Sequence, residues 1–99
     1  MGYVIFEVPS DQQGKINTLI KDDLVSRQSI VTRDAKSLGI DKDVSYVKID
    51  GSEDALKKAE EIAEELGFKK LDEKEASEIE GKIREEEESA ASGMGMIFG

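Results

Sequence analysis

Tyr3-Val4-Ile5-Phe6-Glu7-Val8-Pro9-Ser10 is the stretch on which the fold turns. Val4, Phe6 and Val8 alternate with Tyr3, Ile5 and Glu7, a period of two that predicts a half-buried strand closed by Pro9. Forty-three residues later the pattern returns as Tyr46-Val47-x-Ile49-Asp50, and each copy leads into a serine followed by a helical pattern. After the first copy, Ser10-Asp11-Gln12-Gln13 has the form of a capping box, opening a helix with Ile16, Leu19, Ile20 and Leu24 on one side. After the second, Gly51-Ser52-Glu53-Asp54 opens a helix with Ala55, Leu56, Ala59, Ile62, Ala63 and Leu66 at helical spacing; its early acids suit the helix dipole and Gly67 stops it.

Between the copies, Gln28 to Thr32 reads as a second strand on its β-branched Ile30, Val31 and Thr32. Arg33 to Asp43 is a connection with one helical turn at Ala35 to Leu38, stopped by Gly39. Val44 to Asp50 is the third strand and Phe68 to Leu71 a short fourth. Asp72-Glu73-Lys74-Glu75 then caps a charged helix whose apolar stripe is only Ala76, Ile79 and Ile83. The order strand, helix, strand, strand, helix, strand predicts an α+β fold, a ferredoxin-like split βαβ sandwich, with an extra C-terminal helix and a flexible tail. The expected divisions are 1–72 for the α+β domain, 73–88 for the acidic helix and 89–99 for the tail.

Composition narrows the chemistry. Ninety-nine residues make one domain with a modest core. The chain has no Cys and no His, which removes thiolate chemistry, Cys-based zinc sites and the usual neutral-pH general base. No apolar run approaches the ~20 residues that span a bilayer, and the N-terminus enters a strand pattern without a basic signal region, so a cytoplasmic location is expected. The net charge of -9 is uneven: residues 1–50 hold seven Lys/Arg against eight Asp/Glu, and residues 51–99 hold seven against fifteen. That field disfavours generic nucleic-acid binding.

Two helices on one sheet face leave the other to Tyr3, Ile5 and Glu7, to Tyr46 and Lys48, and to Arg33 or Thr32. Tyr3, Ile5, Tyr46 and Lys48 are therefore candidate sheet-face contacts. The face is expected to be covered by the final helix, through Ile79 and Ile83, or by a second subunit in a homodimer. RNA stacking on it is disfavoured by the missing glycine-aromatic pattern and the charge. Asp41 and Asp43 imitate the opening of a calcium loop, but Tyr46 and Ser52 stand where a glycine and a bidentate Glu are required, so they form at most a loose metal site. With no phosphate loop and no nucleophile elbow, neither a catalytic group nor a cofactor is expected.

The chain ends Glu85-Glu86-Glu87-Glu88-Ser89-Ala90-Ala91-Ser92-Gly93-Met94-Gly95-Met96-Ile97-Phe98-Gly99. An apolar terminus behind an acidic run either docks on its own domain or is received by another protein. In helical form Met94, Ile97 and Phe98 share one face, the spacing of helix-in-groove anchors. This stretch resembles the C-terminal tail of the archaeal ribosomal stalk proteins: an acidic hinge, small residues and a Gly-Leu-Gly-x-Leu/Met-Phe-Gly end. The resemblance covers about the last fifteen residues. It implies that Met94, Ile97 and Phe98 stand for the family's anchors and Gly93, Gly95 and Gly99 for its glycines, with translational GTPases as the partner class. Met94 and Ile97 replace leucine. The expectation is a non-enzymatic, translation-associated protein-binding factor; the alternatives are a small-ligand or calcium-binding regulatory plait and a homodimeric structural module.

Overall fold

The computed structural model describes residues 2–98, with side chains over residues 2–88. It is an α+β fold with a four-stranded sheet of order β2-β3-β1-β4, antiparallel at every pairing. The strands are β1 (Gly2–Pro9), β2 (Ser29–Asp34), β3 (Val44–Gly51) and β4 (Lys69–Lys70), and the helices α1 (Ile16–Ile20), α2 (Glu53–Leu66) and α3 (Glu73–Phe98). The two echoed segments are the central strands, paired Val4 to Ile49, Phe6 to Val47 and Val8 to Ser45.

Period-two alternation then gives each face its own core. Val4, Phe6, Val8, Val47 and Ile49 join Ile16, Leu19, Ala59 and Ala63 beneath α1 and α2. Ile5 and Tyr46 join Leu71, Ala76, Ile79 and Ile83 beneath α3, with Ala35 and Leu38 closing the side. The final helix is thus what covers the second face. Each fully buried large apolar side chain contributes about 1.5–3 kcal/mol of transfer free energy, so the thin stripe of α3 suffices to seat it.

Local signals explain the ends. Ser52 Oγ accepts from the Ala55 amide at the start of α2, and Gly67, at φ 80°, ends it in the left-handed conformation. Asp72 Oδ1 accepts from the Glu75 amide at 2.8 Å, capping α3. The reading of residues 10–24 needs correction. Ser10–Lys15 is a 3-10 turn with no side-chain cap, because Ser10 Oγ donates to Asp43 Oδ1 at 2.8 Å and Gln13 Nε2 donates to Ser45 Oγ at 2.7 Å. Both polar groups are committed to β3 and the turn before it. α1 ends at Ile20, and Asp22 Oδ2 accepts from the amides of Leu24 and Val25. That turn rotates the chain so that Val25 enters the core and Leu24 stays exposed.

Candidate functional site

β4 shows how alternation distributes charge. Lys70 pairs in register with Phe6 and meets Glu60 on α2, while Lys69 pairs with Glu7 and meets Glu75 on α3, on the opposite face. Two successive lysines therefore tether one helix each.

The face under α3 is a set of cations answered by that helix. Ile5 and Tyr46 are buried there, whereas Tyr3 remains 39% exposed. Lys48 Nζ lies 5.2 Å from the centroid of the Tyr3 ring and 3.7 Å from Glu80 Oε1. Of the four candidate sheet-face contacts, only Tyr3 offers substantial surface to a partner. Burial, followed by the charge of Glu80, raises the Tyr3 phenol above its ordinary value; burial, followed by Glu7, does the same to Tyr46. Glu7 also draws Lys42 to 3.4 Å and holds its ammonium above its ordinary value.

At the far side of this face, Arg33 of β2 donates from Nε to Glu86 Oε1 at 2.7 Å and lies 3.6 Å from Glu87 Oε1. The acidic run is therefore held by the domain at Glu86 and Glu87. This contact joins residues 53 apart in sequence and escaped the reading of the chain. A signal was present, since Glu86 and Glu87 follow Ile83 at i+3 and i+4 and so continue the inward stripe of Ala76, Ile79 and Ile83. An acid on a docked stripe needs a cation opposite.

Asp41 and Asp43 are exposed, and Asp43 is engaged by Ser10 through both its carboxylate and its backbone oxygen. Among the described residues no three potential metal ligands gather. Where β1 outruns the two-residue β4, a cleft of about 340 Å³ opens beside Gly2, Tyr3, Lys70, Leu71 and Glu73. Met94, Ile97, Phe98, Gly93, Gly95 and Gly99 lie outside the residues whose side chains are described. No helix among the described residues is long and apolar enough to cross a membrane. No family model, curated protein or solved structure matches the chain.

Proposed function

We propose that this chain is a non-enzymatic, translation-associated protein-binding factor that offers Met94, Ile97 and Phe98 to a translational GTPase, in the manner of the stalk tails it resembles. One observation supports the reading: Ala76, Ile79 and Ile83 are taken by the sheet and Glu86 and Glu87 by Arg33, so the helix that leads into the anchor sequence is seated on the domain through its acidic run.

The body would act as a mount. Its strand order and its helices after β1 and β3 support the ferredoxin-like plan, with α3 as the addition that brings Glu86 and Glu87 onto Arg33 of β2. Because Asp43 already serves Ser10, the anchor reading is preferred to a calcium-binding one. Three buried anchors at about 1.5–3 kcal/mol each, less the cost of ordering the tail, correspond to micromolar affinity. The neighbouring glutamates would steer a basic rim more than they tighten it.

A pull-down with an archaeal elongation factor tests this. Wild type should retain the factor, and Phe98→Ala should lose it without a change in thermal stability. Equal retention by the two proteins rejects the anchor.

A further inference from the structure

The two edges of the sheet are built differently. β4 is two residues long and both are lysines, a short and charged edge of the kind that resists pairing with another chain. β2 runs for six residues, Ser29–Asp34, in unbroken register with β3, and contains neither lysine nor proline. Its two charged side chains are turned back onto their own domain: Arg33 reaches Glu86, and Asp34 Oδ1 accepts from Ser45 Oγ at 2.9 Å. Arg33 also donates from Nη1 to the Thr32 carbonyl at 2.9 Å, but no lysine or proline guards the edge.

The ladder dictates which backbone groups that edge presents. The Ala35 amide donates to Val44 O at 2.9 Å, in register with Asp34 opposite Ser45. Bonded and non-bonded pairs alternate along an antiparallel ladder, so the pairs bonded to β3 are those of Ser29, Val31 and Arg33. The N–H and C=O groups of Ile30 and Thr32 point outward, the Thr32 carbonyl accepting from Arg33 Nη1 through one of its two lone pairs, and no strand of the described residues lies beside them.

We propose that β2 is the contact through which two copies of this chain pair, antiparallel about a two-fold axis, to form a continuous eight-stranded sheet. The occupant is a second copy because the edge complements itself. Centred on Val31, the pairing sets Ile30 against Thr32 of the other copy, the partner's Ile30 amide taking the second lone pair of the Thr32 carbonyl that Arg33 Nη1 already meets, with Ser29 opposite Arg33. Centred on Thr32, it sets Arg33 opposite Val31. Neither arrangement opposes like charges, and the β-branched run favours extended pairing. The net charge of -9 works against the dimer at long range, so it forms as concentration rises and at moderate salt. This inference goes beyond the anchor reading and is independent of it.

Sedimentation equilibrium of the full chain, combined with amide hydrogen exchange, tests it. The mass should rise to twice that of the chain with concentration, and the Ile30 and Thr32 amides should gain protection in step. Thr32→Pro removes only an outward donor and should stay monomeric with an unchanged circular dichroism spectrum. Should proline unfold the strand, Thr32→Lys supplies the missing guard and should weaken association at least tenfold. A monomer at every soluble concentration would overturn the proposal, as would a dimer whose Ile30 and Thr32 amides exchange freely.

Discussion

Arg33 on the edge strand and Glu86 on the final helix form a hydrogen-bonded ion pair of 2.7 Å that crosses the second face of the sheet. It fastens the acidic run of α3 to the strand farthest from where that helix begins. The helix is thereby held at its cap by Asp72 and at Glu86 by this pair, with Ala76, Ile79 and Ile83 seated between.

Arg33→Ala should lower stability by about 1 kcal/mol, the range of a charge-assisted bond that water partly screens. Both side chains keep about a third of their surface, at 30% and 34%, which argues against a larger effect. Urea unfolding of Arg33→Ala, Glu86→Gln and the double variant should give a positive coupling that shrinks with salt.

Ile83→Ala should cost about 2–4 kcal/mol, because the side chain is 3% exposed and its loss leaves a void under α3. The chain has two tyrosines and no tryptophan, so intrinsic fluorescence reports on Tyr3 and Tyr46. Tyr46, at 2% exposure, should become accessible to acrylamide in this variant before global unfolding.

The parts of the fold written in local pattern were legible in the chain. β1 and β3 declare themselves by alternation, α2 by its serine cap and terminal glycine, and the seating of α3 by Ala76, Ile79 and Ile83. Residues 10–25 were not legible, because Ser10 and Gln13 match a local capping motif yet are claimed by Asp43 and Ser45 more than thirty residues away. Asp22 then exchanges Leu24 for Val25 in the core through a turn that helical periodicity does not foresee. The pair of Arg33 with Glu86 was hidden for the same reason: a composition that reads as a solvated acidic hinge becomes a contact only once the topology brings β2 beneath α3.

Stability should fall as the solution is made alkaline. The phenols of Tyr46 and Tyr3 ionise above their ordinary value of 10.0 in the fold, the first held neutral by burial and then Glu7, the second by burial and then Glu80. Above 10.0 the unfolded chain releases these protons before the folded one, so the stabilisation present below that pH is lost as pH rises toward the folded values. Lys42, ordinarily 10.5 and raised by Glu7, acts in the same direction. Melting temperature against pH should be flat through neutrality and decline past 10, with the ultraviolet phenolate band of Tyr46 appearing later than that of free tyrosine.

Ser45→Ala should cost only about 1 kcal/mol despite 1% exposure of the serine. Its hydroxyl relays Gln13 to Asp34, but both of those side chains sit at the surface and can turn to water when the relay is cut. Chemical denaturation measures the loss. A drop several times larger would mean that the 3-10 turn is held to the sheet chiefly by this one group.

The central claim is that the domain is a mount and the terminal residues are what a partner receives. Amide chemical shifts of the isotopically labelled full chain, followed during titration with a translational GTPase, test it most directly. The account predicts shifts that saturate at micromolar partner and are confined to residues after Glu88, with Ile5, Tyr46 and Val47 unmoved. Shifts centred on Tyr3 and the cleft beside Lys70, with the terminal residues silent, would contradict it.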